Sequence, residues 1–168
     1  GLAAVPGYTG TSDFAMGPMM VQPIPNPTDY NSIEIAGALA EAFPDKITKA
    51  AVVKSTLPSM IEATEKVLST YPTQGFQFLD CPQEYQLQGE TGWQAIAQRL
   101  KDCGAEMVYF SGSPSPTFQN FLDAANQIGF TPIWWTDANF VTPQFAAWNQ
   151  NGFADNVYFR MGFVPFAE

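Results

Sequence analysis

An α/β fold, a single lobe with a parallel β-sheet flanked by helices on both faces, is what this sequence predicts, on three observations. From residue 29 onward, short apolar runs alternate with amphipathic helical stretches, the pattern of right-handed βαβ units. Two of the helical stretches, at 91–103 and 116–129, close on a glycine just before the next apolar run, as helices with a left-handed cap do. The length of 168 residues and the 46% hydrophobic content suffice for one well-filled core and not for two ordinary domains.

Residues 1–28 are punctuated by proline and glycine without a sustained period, as in "PIPNPTDY", and read as a linker or inter-lobe crossing with a short extended piece at 19–24. The lobe itself is assigned to 29–168. "NSIEIAGALAEAF" sets Ile33, Ala36, Leu39, Ala40 and Phe43 at helical spacing, with Asn31 or Ser32 as N-cap and Pro44 beyond the end. A strand at 49–54 ("KAAVVK") then feeds a helix at 58–71 that carries proline in its first turn. The alternation continues with a strand at 75–80 ("GFQFLD"), a helix at 91–103, a strand at 106–111 ("EMVYFS") and a helix at 116–129. A strand at 131–136 ("TPIWWT"), a helical turn near 144–149 and a last strand at 156–161 ("NVYFRM") complete it.

Seven basic against sixteen acidic residues give a net charge of −9, which repels nucleic acid and anionic membrane surfaces. No apolar run approaches the roughly 20 residues of a membrane span. The chain lacks an initiator methionine and reads as a piece of a longer protein, with no signal sequence of its own. Cys81 and Cys103 occupy parallel contexts, "LDCP" and "KDCG". They read equally as a disulfide of an exported protein or as two small core residues. With no histidine in the chain they do not make a zinc site. The same absence removes Ser-His and Cys-His nucleophile pairs, and no close carboxylate pair stands in the strand-end loops. The chain is therefore expected not to be an enzyme and to need no cofactor or metal.

In parallel sheets ligands gather outside the carboxyl ends of the strands, which selects "KSTLP", "DCPQEY", "SGSPSP", "TDAN" and "RMGF". The first reads chiefly as a helix cap, with Thr56 kept as a ligand-contact candidate. In the third, Gly112 permits close backbone approach while Ser111 and Ser113 supply hydroxyls above a helix start. No Walker or GxGxxG pattern follows. Asp137, at the end of the fourth parallel strand, is placed to receive an ammonium group, with Asn139 beside it; the competing reading is a turn cap. Trp134 and Trp135 point to opposite sheet faces and pack as core. Phe140 and Tyr85, taken as loop residues, are candidates for a pocket wall.

The ordered set "KAAVVK", "FLDCPQEY", "GWQAIAQRLKDCGAEMVYFSGSP" and "FQNFLDAANQIGFTPIWWTDANF" resembles one lobe of the type I periplasmic solute-binding proteins, the branched-chain amino acid receptor group of ABC importers. Lys101, Gly104, Val108, Gly112, Gly129, Pro132, Thr136 and Asp137 carry the resemblance, which spans about 29–166. It implies a flavodoxin-like topology and a two-lobed clamp that closes on a small solute, the chain crossing the hinge three times. This chain would be the C-terminal lobe, with the proline-rich arm and "FVPFAE" as crossings. By position Asp137 takes the ligand-ammonium role, while the other lobe holds the carboxylate. The implied partners are the solute, the first lobe of the same protein and the ABC membrane subunits, in the periplasm or extracellular cell envelope. "KSTLPSM" lacks the Tyr-Gly pair common in the family. Two alternatives stay open: a flavodoxin-like FMN-binding oxidoreductase, since "SGSPSPTF" also looks like a flavin loop, and the ligand-binding ectodomain of a sensory receptor.

Overall fold

The computed structural model describes residues 33–86, 89–112, 116–138, 152 and 155–161. The arm at 1–28, its extended piece, the Asn31 or Ser32 cap and the helical turn at 144–149 lie outside the described residues. Helix α1 covers Ile33–Ala42 and β1 Ala50–Ser55, with a short 3-10 turn at Ile47–Lys49 between them. Helix α2 (Pro58–Thr70) leads through a second 3-10 turn, Tyr71–Gln74, to β2 (Gln83–Tyr85). Then come α3 (Trp93–Asp102), β3 (Met107–Phe110), α4 (Pro116–Gln127), β4 (Ile133–Ala138) and β5 (Val157–Met161).

One element departs from expectation. The strand expected at 75–80 is a single bridge between Ala50 and Phe78, and the ladder to β1 forms instead at Gln83–Tyr85. Tyr85 is therefore a strand residue rather than a loop residue, and "DCPQEY" runs into its strand instead of out of it. The helix starts and stops agree more closely. Pro58 lies in the first turn of α2, and Gly104 and Gly129 hold φ of 78° and 64° just past α3 and α4, conformations that glycine adopts without steric cost. Arg99 and Lys101 stand in the last turn of α3, where they complement the helix dipole.

All five strands are parallel, in the order β2-β1-β3-β4-β5. Alternation divides their side chains between two buried layers. Ala51, Val53, Val108, Phe110 and Trp134 face Trp93, Ile96 and Leu100 of α3 and Phe118, Phe121 and Leu122 of α4. On the other face Ala50, Val52, Met107, Tyr109 and Trp135 meet Ala36 and Leu39 of α1 and Val67 of α2, with Tyr71 and Phe76. Each fully buried side chain of this size contributes roughly 1.5–3 kcal/mol. A connected set of aromatic rings runs through the first layer, with ring centroids 4.7 Å apart for Phe110 and Phe118 and 5.2 Å for Phe121 and Trp134.

The same division locates a crevice. The connection after β1 runs through α2 on one face, and the connection after β3 runs through α4 on the other. Adjacent parallel strands whose connections leave to opposite faces define a topological switch point, where loops part above the carboxyl ends. Here it falls between β1 and β3.

Candidate functional site

At the carboxyl end of β1, Lys54 is still within the strand and pairs with Glu84 of β2 at 2.9 Å. Ser55 is buried, and its hydroxyl accepts from the Leu57 N–H at 3.3 Å. Leu57, the residue before α2, makes no side-chain cap, so Ser55 pins the turn ahead of the helix rather than capping a first-turn donor. Thr56 is exposed at the tip, and its N–H donates to Tyr85 O at 3.1 Å. Thr56 therefore presents its side chain to solvent at the switch point.

Across the switch point, Ser111 and Gly112 follow β3. Both are buried. Ser111 N–H continues the ladder by donating to Val53 O at 2.8 Å. Its hydroxyl lies 2.5 Å from Thr64 Oγ1 of α2, and Thr64 is itself buried. The expectation that Ser111 offers its hydroxyl to a ligand is therefore corrected: the hydroxyl is occupied inside the lobe, because α2 brings a polar side chain down onto the strand end.

Tyr85 is corrected in the same sense. It is 2% exposed, stacked on Phe110 at 4.8 Å and tilted against Trp93 at 5.4 Å, so it is a core residue and not a pocket wall. Its phenol donates to Ser111 O at 2.8 Å. Burial pushes the phenol pKa up to about 12, with the Ser55 hydroxyl working the other way to a smaller extent, so Tyr85 is a neutral donor at ordinary pH.

At Gly112 the close approach is made by side chains of the lobe itself. A Cβ there would stand 2.8 Å from both Phe110 Cε1 and Tyr85 Oη, so a larger residue would force these buried rings to shift. Its carbonyl accepts from Thr136 Oγ1 of β4 at 2.8 Å.

Asp137 is the fifth of six residues of β4, one step inside the strand end, in register with Arg160 of β5. Ser113, Asn139 and Phe140 lie outside the described residues. The structure thus brings the Thr56, Ser111–Gly112 and Asp137 segments to one end of the sheet, on β1, β3 and β4.

Cys81 and Cys103 form a disulfide, with Cα atoms 6.6 Å apart. Cys81 precedes β2 and Cys103 precedes β3, so the bond joins the amino ends of the strands, away from the crevice. Among the described residues no cluster of His, Cys, Asp or Glu is built to hold a metal. No helix among them is long and apolar enough to cross a membrane. A further concavity of about 240 Å³ between α1 and β5, lined by Ile35, Leu39, Phe43, Trp135 and Tyr158, is apolar and lies away from the strand ends.

Thr64 belongs to this site although sequence reasoning did not select it, and Thr136, read there only within "TDAN" and in the family resemblance, belongs to it as well. A signal existed for the first: Thr64 falls between Ala63 and Val67 on the buried side of an amphipathic helix, where a polar residue needs a partner.

No family model matches this sequence, and no curated protein does. Solved structures do. One assigned to a branched-chain amino acid ABC transporter of Rhodospirillum rubrum superposes with a TM-score of 0.70 at 15% identity, covering 93% of this chain and 43% of that one. An extracellular ligand-binding receptor from Verminephrobacter eiseniae gives 0.73 at 17% identity, with 97% and 45% coverage. An R. palustris ABC transporter solute-binding protein in complex with 4-hydroxybenzoate gives 0.61 at 20%, with 77% and 34% coverage. The chain spans less than half the length of each of these structures. It has the fold of a lobe of the type I periplasmic binding proteins of ABC transporters.

Proposed function

We propose that this chain is one lobe of the solute-binding component of an ABC transporter, and that it binds an amino acid or related amine at the crevice between β1 and β3. The observation that carries the reading is the convergence of Thr56, Gly112 and Asp137 on the carboxyl ends of β1, β3 and β4 beside the switch point, where solutes bind in open parallel sheets. The fold shared with ABC-transporter binding proteins supports the transport class. Among those proteins one is assigned to branched-chain amino acids and one holds 4-hydroxybenzoate, so the fold alone leaves the solute open. An aspartate near the carboxyl end of β4 favours an amine-bearing solute over a benzoate, which carries no ammonium for a carboxylate to receive.

Asp137 receives the solute ammonium. The partners are the remaining lobe of the clamp and the membrane subunits of the importer. A periplasmic or cell-envelope location is supported by the Cys81–Cys103 disulfide, since such bonds persist in oxidising compartments.

Calorimetry tests this with a panel of amino acids and 4-hydroxybenzoate titrated into the receptor that contains this chain. The expected result is binding of an amine-bearing solute that weakens about 10- to 100-fold in Asp137→Asn, the worth of a hydrogen bond to a charged group. Equal affinity in the variant overturns the ammonium role, and retention of FMN after desalting overturns the transport reading.

A further inference from the structure

Four hydrogen bonds from four elements converge on the two residues that leave β3. Val53 of β1 takes the Ser111 N–H at 2.8 Å, Thr64 of α2 holds the Ser111 hydroxyl at 2.5 Å, Tyr85 of β2 donates to the Ser111 carbonyl and Thr136 of β4 to the Gly112 carbonyl, each at 2.8 Å. The last two differ in kind from the others. Strand ladders supply backbone partners to carbonyls as a matter of course, whereas here side-chain hydroxyls have replaced them just where the ladder stops. Tyr85 and Thr136 approach from opposite neighbours of the β1–β3 pair, so the two peptide groups are held from both sides. Gly112 is shaped to the arrangement, since a Cβ would meet the Tyr85 oxygen at 2.8 Å.

We propose that Tyr85 and Thr136 are positioning residues for the solute site: their hydroxyls fix the planes of the Ser111 and Gly112 peptide groups at the switch point, so that solute affinity depends on two side chains that do not touch the solute. The physical basis is preorganisation. A loop already held in its bound geometry loses less conformational freedom on binding, and a buried carbonyl deprived of its donor must rotate towards another partner or remain unsatisfied. The functional half of this proposal rests on the solute-binding reading above; the structural half does not.

The test uses Tyr85→Phe, Thr136→Val and their combination, each of which removes only a hydroxyl's hydrogen bond, with Thr136→Ser as the conservative control. Amide hydrogen exchange is followed at Ser111 and Gly112, with Val52 and Val108 as references, and affinity is measured with L-leucine and 4-hydroxybenzoate as probes. Exchange at Ser111 and Gly112 is expected to rise about 10-fold per lost bond while the reference amides hold. Affinity for whichever probe the wild type binds should fall by a similar factor, and Thr136→Ser should restore both. Unchanged exchange at the two residues in the double variant overturns the proposal, as does faster exchange with unchanged affinity. A wild type that binds neither probe counts against the solute reading alone, and exchange then decides the rest. The wild type also supplies a readout that needs no variant to fold: the Tyr85 and Thr136 hydroxyl protons should be visible as slowly exchanging resonances, and their absence overturns the proposal.

Discussion

At the scale of single residues, Tyr85 shows how burial converts a polar side chain into a structural donor with a pH signature. Its phenol ionises near pH 10.0 when exposed and is pushed up to about 12 in the fold by desolvation, the Ser55 hydroxyl offsetting part of this. Between these values the unfolded chain releases a proton that the folded chain retains, so the unfolded state gains and stability falls as pH rises. The contribution is fully present below pH 10 and gone once pH has passed about 12, and the linked free energy is roughly 3 kcal/mol at about 1.4 kcal/mol per unit. Urea unfolding of the wild type should therefore lose more stability between pH 10 and 12 than unfolding of Tyr85→Phe. Parallel loss in the two proteins would show that the phenol titrates normally. None of this was legible in the sequence, where Tyr85 follows "CPQE" and has no neighbouring pattern to mark it as buried.

At the scale of elements, β4 carries the sheet's division into two layers. Trp134 packs edge-on to Phe121 and Phe130, at 5.2 and 5.5 Å. Trp135 stacks on Tyr109 at 5.2 Å and on Tyr71 at 6.1 Å on the opposite face. The two are unequal in one respect: Trp135 Nε1 is buried without a hydrogen-bond partner among the described residues, a cost of about 1–3 kcal/mol carried by the native state. Truncation of either ring to alanine should cost about 3–5 kcal/mol. Trp135→Phe should cost far less than Trp135→Ala, under about 1.5 kcal/mol, because it deletes the unmatched donor while keeping an aromatic ring. Denaturant midpoints at unchanged m-value decide it, and a loss for Trp135→Phe as large as for Trp135→Ala would mean that the indole N–H is satisfied. The alternation of the pair was readable from sequence, because strand geometry alone dictates it. So were α2, α3 and α4, whose proline start and glycine stops are local signals. β2 was not. "GFQFLD" has the apolar alternation of a strand, yet Phe76 and Phe78 stack on each other at 6.0 Å with a single bridge to the sheet. The three-residue ladder falls on "QEY", a short edge set by backbone register and not by side-chain period. The site divides likewise: strand order puts Thr56, Gly112 and Asp137 at one end, whereas the inward turn of the Ser111 and Tyr85 hydroxyls depends on tertiary neighbours that no local pattern encodes.

At the scale of the whole molecule, the disulfide and the proposed binding site lie at opposite poles of the sheet. The Cys81–Cys103 disulfide ties the entry of β2 to the exit of α3 at the amino end, with Lys49 and Glu106 also paired there and the Glu106 carboxyl held below its usual range by the lysine. The crevice lies at the carboxyl end, braced by hydrogen bonds that involve neither cysteine. Closing a loop across a sequence separation of 22 should stabilise the fold by about 3 kcal/mol through the unfolded state. Reduction, or the paired change Cys81→Ala with Cys103→Ala, is therefore expected to lower unfolding stability by about that amount. Under conditions where the reduced lobe is still folded, exchange at the Ser111 and Gly112 amides should stay as in the oxidised protein. Two measurements on one sample separate the poles: the urea midpoint, which should fall, and the local exchange rates at the crevice, which should not. If both shifted together, the lobe would open as a single unit, and the brace at the strand ends would draw its rigidity from the disulfide rather than from Tyr85 and Thr136.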